Sequence, residues 1–280
     1  MGSRLSSENL LFDPTGQGRS PALFFDFDGT LVPISSRPSE VRLSEDHARL
    51  LCRLADRFPT FVISGRGEAD LLSRLPPADL AGISGDHGAV RLFAGERHLH
   101  PLAQKAGALL PEFASRAKAV LEALPGVKVE PKEFSLSVHY RAVDPSRVPE
   151  ASALLWQIFG EFSGREIFRI SEGKMVWEVR PVGGVTKEET LDFFLVALAS
   201  RADQDGGPGY FPVMAGDDTT DLEAVNRAVT RGGIGLWIGD PPAGLAPEAK
   251  VLSSPDDLWE ILERLLERPA DAFGPQDPSR

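Results

Sequence analysis

From Pro21 onward, short unbroken apolar runs alternate with longer stretches in which apolar residues return every three or four positions. An unbroken run marks a strand covered on both faces. The helical return marks a helix with one face on a core. The pattern predicts strands over residues 23–27, 60–64, 82–84, 211–215, 235–238 and 250–252, and helices over 43–58, 68–75, 187–199, 221–229 and 256–267. Ser44 and the pair Ser254-Pro255 supply helix start signals. Strands separated by helices define a parallel sheet with helices on both sides.

The middle of the chain changes character. A helix over 109–124 leads to strands over 127–129 and 135–141, a helix over 148–162, and strands over 168–170 and 174–180 around Ser171-Glu172-Gly173, read as a hairpin turn. Here polar and apolar residues alternate. Phe134, Leu136, Val138 and Tyr140 oppose Ser135, Ser137, His139 and Arg141; Met175, Trp177 and Val179 oppose Val176, Glu178 and Arg180. Such alternation predicts a half-exposed antiparallel sheet. The expected fold class is therefore α/β: a Rossmann-like core with a parallel sheet, residues 21–102 and 183–270, and an inserted smaller α/β domain, residues 103–182. Residues 1–20 and 271–280 read as flexible tails, and Pro181-Val182-Gly183-Gly184 as the exit hinge of the insertion.

Charge and composition narrow the classes of function. A formal net charge of -11 over 280 residues argues against nonspecific binding to nucleic acid or to an anionic membrane. An anionic substrate would need a local positive site. A single Cys52 excludes a disulfide framework and a cysteine-based metal site, and it fits a reducing compartment. No apolar stretch reaches the roughly 18–20 residues of a membrane span, and residues 1–20 lack a signal-peptide core, so cytoplasm is the expected location. Neither a Gly-x-Gly-x-x-Gly after a strand nor a Walker phosphate loop occurs, which argues against dinucleotide and P-loop chemistry.

Candidate chemistry gathers at predicted strand ends. Asp26-Phe27-Asp28-Gly29-Thr30 follows the first strand, and a period of two points both carboxylates the same way. Facing carboxylates repel unless a cation sits between them or one is protonated. That pair suits phosphate-ester chemistry, with one carboxylate attacking and the other handling protons; two solvated acids in a turn would look the same. Gly216-Asp217-Asp218-Thr219-Thr220-Asp221 follows a second apolar strand. Ligands in open parallel sheets sit beyond the strands' carboxyl ends, so Asp217 and Asp218 could meet Asp26 and Asp28. A group of that many carboxylates requires a divalent cation, and an all-oxygen set favours Mg2+. Thr220 with Glu223 also reads as a capping box. Lys187 sits in the first turn of a helix, where a cation opposes the dipole by up to about 1 kcal/mol, a penalty that an anion would offset; a solvated Lys beside Glu188 and Glu189 is the plainer account. Ser64-Gly65-Arg66 offers a hydroxyl and backbone N–H groups at another strand end, as many loops do.

Taken in order, Asp26, Ser64, Lys187 and Asp217 strongly resemble the four motifs of the haloacid dehalogenase superfamily of phosphatases, and the insertion resembles their C2-type cap. The receiver domain of response regulators shares some of these residue types, but it is about half as long and has no cap. Within the superfamily, Gly85-Asp86-His87-Gly88-Ala89, Lys132 with His139-Tyr140-Arg141, Gly173-Lys174-Met175-Val176-Trp177-Glu178-Val179-Arg180-Pro181 and Gly216 to Asp221 look like trehalose-6-phosphate phosphatases, over roughly residues 21–262. The chain departs from that pattern at Thr186-Lys187-Glu188 and at Leu222-Glu223-Ala224-Val225.

The resemblance implies a Mg2+-dependent phosphatase that hydrolyses trehalose 6-phosphate through an aspartyl-phosphate. Asp26 is then the nucleophile and Asp28 the general acid and base, while Ser64 and Lys187 hold the phosphoryl oxygens. Asp26, the Asp28 backbone carbonyl and Asp217 ligate the metal, with Asp218 orienting the site. Gly29, Thr30, Gly65, Arg66 and His87 belong to the substrate-binding set, together with Lys132, His139, Arg141 and Glu178 of the insertion; the remaining His and Trp residues read as structural. The resemblance further implies a monomer coupled functionally to a trehalose-6-phosphate synthase. Two rival readings stay open: the same chemistry on sucrose phosphate or glucosylglycerol phosphate, and a noncatalytic regulatory partner of a synthase.

Overall fold

A computed structural model describes residues 13–35, 37–163, 167–173, 175–182, 186–205 and 209–269. Two compact units emerge: the residues up to Arg97 together with those from Thr186 onward, and the intervening segment His98–Val185.

The first unit is built on an eight-stranded sheet. Its strands in chain order are β1 (Ser20–Phe25), β2 (Thr60–Ile63), β3 (Gly82–Gly85), β4 (Val90–Phe93), β5 (Glu96–Leu99), and, after the second unit, β10 (Tyr210–Gly216), β11 (Ile234–Ile238) and β12 (Lys250–Leu252). The spatial order is β12-β11-β10-β1-β2-β3-β4-β5. Every pairing from β12 to β3 is parallel, and β4 turns back antiparallel to β3. Strands β1 and β10 lie side by side in the centre, with Phe25 opposite Ala215. Their carboxyl ends therefore open at the same edge.

Alternate strand residues serve two cores, as the two-residue period requires. Leu23, Phe25, Val62, Val213, Ala215 and Leu236 pack with helices α1 (Glu45–Ala55) and α7 (Pro255–Glu267). Phe24, Phe61, Met214 and Trp237 pack on the opposite side with α5 (Lys187–Asp205) and α6 (Leu222–Thr230). Phe61 stacks on Phe24 with ring centroids 4.6 Å apart and meets Phe194 at 4.8 Å. Helix starts follow local chemistry. Ser44 Oγ accepts the N–H of His47, Ser254 Oγ that of Asp257, and Thr186 Oγ1 that of Glu189. Helix α2 (Glu68–Leu72) stops earlier than the pattern predicts, because Pro76-Pro77 disfavours helical geometry just ahead of it.

The second unit carries α3 (Pro101–Leu121), β6 (Lys128–Pro131), β7 (Leu136–His139), α4 (Val148–Ser163), β8 (Phe168–Gly173) and β9 (Val176–Pro181). Its four strands pair antiparallel in the order β6-β7-β9-β8. Val129, Leu136, Val138, Trp177 and Val179 face α3 and α4 in one core. Helix α3 begins eight residues before its expected start. Pro101 occupies its first turn and His100 Nδ1 accepts the N–H of Leu102. The hairpin also shifts. Ser171, Glu172 and Gly173 are strand residues of β8, and Gly173 pairs with Val176, so the turn lies beyond Gly173 and includes Met175. Met175 has φ +63° there. A second hairpin, β4 to β5, is absent from the expected elements. Ala94 and Gly95 both have positive φ, the geometry of a tight two-residue turn.

Part of the expected N-terminal tail is tied down. The Asp13 carboxylate accepts from the backbone N–H groups of Thr15, Gln17 and Arg19, and Arg19 in turn donates to the Gly232 carbonyl. Residues 1–12 and 270–280, Lys174, and Gly183 and Gly184 of the expected hinge lie outside the described residues.

Phe61→Ala removes a wholly buried ring from the stack and is expected to lower stability by about 3–5 kcal/mol in chemical denaturation. A loss below about 1 kcal/mol would show that the aromatic stack is not a main support of that face.

Candidate active site

The site forms where β1 and β10 end. Asp26 is the first residue beyond β1, and its N–H donates to the Ala215 carbonyl of the neighbouring strand. The residue is 4% exposed. Lys187, at the start of α5, sends its ammonium to Asp26 Oδ1 and Asp221 Oδ1, each at 2.6 Å. Lys187 and Asp221 are themselves buried. Asp217 completes the group, and one carboxylate oxygen each from Asp26, Asp217 and Asp221 lies within 4.8 Å of the others. Thr30 Oγ1 donates to Asp217 Oδ1 at 3.2 Å.

Close backbone approach makes this possible. Gly29 has φ +91°, and a Cβ there would lie 2.0 Å from Asp217 Oδ2. The turn behind it closes when Gly29 N–H donates to Val32 and the Leu31 and Val32 N–H groups donate to Phe27.

The three carboxylates and one ammonium carry two excess negative charges. Burial drives the Asp217 carboxyl up to about 6, and the charge on Asp221 adds to the effect. Burial likewise raises Asp26 well above the ordinary range, partly opposed by Lys187. Burial alone would lower Lys187, but Asp221 and Asp26 outweigh it and hold the ammonium charged. Crowded oxygens whose full ionisation would leave an uncompensated charge of about minus two suit a hard divalent cation. The donor set therefore fits a metal ion.

Asp28 is separate from this group. β1 ends at Phe25, before either carboxylate, and Asp28 does not join the group of Asp26, Asp217 and Asp221. Instead Arg66 grips it through a two-pronged pair, Nε to Oδ2 and Nη2 to Oδ1, both 2.6 Å. Arg66 Nη1 also donates to Asp70 at 2.8 Å. Ser64 ends β2 and is buried; its Oγ accepts the Arg66 N–H at 3.2 Å, and its carbonyl accepts the His87 N–H at 2.9 Å. The His87 ring lies over Gly65, where a Cβ would meet Cε1 at 2.4 Å. His87 has φ +57°, a left-handed conformation that is uncommon for a side-chain-bearing residue.

Asp26, Thr30, Lys187 and Asp217 are thus brought together, while Asp28, Ser64, Gly65, Arg66 and His87 form the adjoining loops. Asp218 is exposed, its side chain lies outside the carboxylate group, and its N–H donates to Asp221 Oδ2 at 3.2 Å. Asp221 was missed by sequence reasoning, which began a helix at it and placed a Thr220–Glu223 capping box beside it. The capping box does not form as predicted, because Asp221 itself is the N-cap residue of α6. A spacing of four residues from Asp217 was the available signal.

In the second unit, Glu178 stands opposite Ser137 across β7 and β9, and Ser137 Oγ donates to Glu178 Oε1 at 2.8 Å. His139 Nε2 lies 2.9 Å from Glu130 Oε2. Lys132 is half-buried in the link between β6 and β7, and Arg141 is exposed just after β7. No helix among the described residues is long and apolar enough to cross a membrane.

In fold, the chain is similar to haloacid dehalogenase-like hydrolases. A solved structure of such a hydrolase from Bacteroides thetaiotaomicron covers 88% of this chain and all of its own at a TM-score of 0.59 and 14% identity, a likeness of fold. The chain belongs to the trehalose-phosphatase family, whose model matches residues 24–236. It is 33% identical over 260 residues to the trehalose-phosphate phosphatase of Mycobacterium leprae, covering 90% of this chain and 59% of that one. It thus spans about three-fifths of that relative's length. The C-terminal domain of a C. albicans trehalose-6-phosphate phosphatase superposes with a TM-score of 0.74, 24% identity, 94% coverage of this chain and 98% of that one.

The raised Asp217 carboxyl predicts a pH dependence in protein freed of divalent cations. The folded state holds this proton more tightly than the unfolded chain, where the ordinary value is 3.8. The stabilising contribution is complete below about 3.8 and is lost as pH rises through about 6. The melting temperature of the wild type, relative to Asp217→Asn, should therefore fall from about pH 4 to about pH 7. A flat difference across that window would contradict the burial account.

Proposed function

We propose that the protein is a Mg2+-dependent phosphatase that hydrolyses trehalose 6-phosphate to trehalose and phosphate. The observation that carries the reading is the ammonium of Lys187 shared at 2.6 Å by Asp26 and Asp221, beside Asp217, in a chain of the trehalose-phosphatase family.

Asp26 Oδ attacks phosphorus, and the bond to the sugar oxygen breaks as an aspartyl-phosphate forms. Asp28 donates a proton to the departing sugar oxygen. It then takes one from the water that attacks the aspartyl-phosphate, releasing phosphate and restoring Asp26. Lys187 and the Ser64 hydroxyl bind the phosphoryl oxygens and stabilise charge as it shifts. Asp26, Asp217 and the Asp28 carbonyl would hold Mg2+, with Asp221 beside them; the ion supplies positive charge against the phosphoryl oxygens. Arg66 and His87 contribute to binding the phosphate.

The sugar assignment draws on the second unit. Glu178 is held by Ser137, and its Oε2 is buried with no hydrogen-bond donor among the described residues. An acceptor left open in that way suits a sugar hydroxyl. Lys132, His139 and Arg141 are the further candidates for sugar contact.

Phosphate release measured over a set of sugar phosphates tests the proposal. Trehalose 6-phosphate should be turned over fastest. Faster turnover of sucrose phosphate or glucosylglycerol phosphate would reassign the sugar, and no release from any of them would end the enzymatic reading. Asp26→Asn should lower kcat by at least about 10³-fold while the circular dichroism spectrum is unchanged. Glu178→Ala should reduce kcat/KM for trehalose 6-phosphate at least about tenfold more than for p-nitrophenyl phosphate, and equal losses would remove it from sugar recognition.

A further inference from the structure

Arg66 joins two carboxylates. Its fork holds both oxygens of Asp28, and its remaining nitrogen, Nη1, donates to Asp70 Oδ2 at 2.8 Å. Asp70 is held in turn by Arg74, whose Nε donates to the same Oδ2 at 2.9 Å and whose Nη2 donates to Oδ1. Arg74 is buried and anchored to backbone, with Nη1 donating to the Val41 carbonyl at 2.7 Å and the Ser39 carbonyl at 3.3 Å. The charges alternate along the row Asp28, Arg66, Asp70, Arg74. The bonds from Arg74 and Arg66 hold the Asp70 carboxyl below the ordinary range against the opposing effect of burial, so Asp70 is ionised.

Three further contacts restrict Arg66. Its N–H donates to Ser64 Oγ, its carbonyl accepts the Asp86 N–H at 2.8 Å, and its guanidinium lies 5.5 Å from the Phe27 ring centre. A guanidinium on a flexible stem has many rotamers; one anchored at Nη1 presents its fork in one plane. That plane then sets the attitude of the Asp28 carboxylate. Each Asp28 oxygen keeps a further lone pair outside the fork, from which a proton can be exchanged.

We propose that Asp70 is a positioning residue for the phosphatase reaction: acting through Arg66, it holds the Asp28 carboxylate in the attitude required for proton transfer to the leaving sugar. The inference rests on the reading of Asp28 as the general acid. Asp70 touches neither substrate nor reacting atoms, and its side chain is 45% exposed, so its exchange leaves the core intact.

Single-turnover release of the leaving group, with enzyme in excess, isolates the step in which Asp28 acts as an acid. Trehalose is a poor leaving group that needs the proton; p-nitrophenolate departs without it. Asp70→Asn is expected to slow trehalose release about tenfold, a fraction of the roughly 10²–10⁴ that a general acid supplies, and to change p-nitrophenolate release less than about twofold. Asp28→Asn measured in parallel should show the same selectivity with a larger loss. Equal slowing of both substrates by Asp70→Asn, or no slowing of either, would overturn the positioning role when Asp28→Asn remains selective. An Asp28→Asn enzyme that loses both alike would instead overturn the general-acid reading and the positioning role with it.

Discussion

The ammonium of Lys187, buried and shared by Asp26 and Asp221, is the interaction on which the site depends. An unpaired charge in that position would be driven to neutrality, and a carboxylate without the lysine would fare no better. The pairing spans the chain: Asp26 follows β1, Lys187 opens α5 and Asp221 immediately precedes α6. The central pairing of β1 with β10 brings their ends together, and the Gly29 turn admits Asp217. Lys187 lies in the first turn of α5, against the helix dipole, a conflict worth up to about 1 kcal/mol. Two carboxylates at 2.6 Å more than offset it. Burial still raises the carboxyls of Asp26 and Asp217, and the charge on neighbouring Asp221 adds to the effect.

Asp26 and Asp28 are two residues apart, yet they occupy different electrostatic surroundings. Asp26 is enclosed and faces an ammonium and two further carboxylates. Asp28 is 38% exposed and faces a guanidinium. This separation of environments supports the two proposed roles, since identical surroundings would make the carboxylates compete for one proton. Arg66 pairs with Asp28 and Lys187 with Asp26, one cation for each acid.

Much of the arrangement was legible in the chain because burial leaves a direct mark on sequence. Unbroken apolar runs identified β1, β2 and β10, since strands covered on both faces tolerate few polar residues. The alternation in β7 and β9 marked a sheet with one polar face. Other features had no such mark. Asp221 belongs to the carboxylate group through contact with Lys187, 34 positions away, while locally it looks like a helix start. The hairpin of β4 and β5 turns on Ala94 and Gly95, and alanine gives no hint of positive φ. The register of β8 and β9 is set by cross-strand pairs such as Ser171 with Glu178, so the Gly173 turn signal misplaced the loop. Nothing in the sequence singled out Asp70 or Arg74, because only the folded loops bring Arg66 between Asp28 and Asp70.

The groups proposed to handle phosphate differ in kind from those proposed to read the sugar. Asp26, Ser64, Lys187 and Asp221 are buried, and Lys187 joins Asp26 and Asp221 through hydrogen bonds of 2.6 Å, as chemistry that tolerates little displacement requires. In the second unit, His139 and Lys132 are half-buried and Arg141 is exposed. Glu178 is the exception, 14% exposed and held by Ser137, with Arg180 Nε 4.0 Å from its second oxygen. A buried carboxylate with an open acceptor loses free energy unless a ligand's donor meets it, so it discriminates more sharply than solvated side chains do. On the proposed reading, selectivity for one sugar among several phosphates would fall chiefly on Glu178, while Lys132, His139 and Arg141, already in contact with water, would contribute affinity with less discrimination.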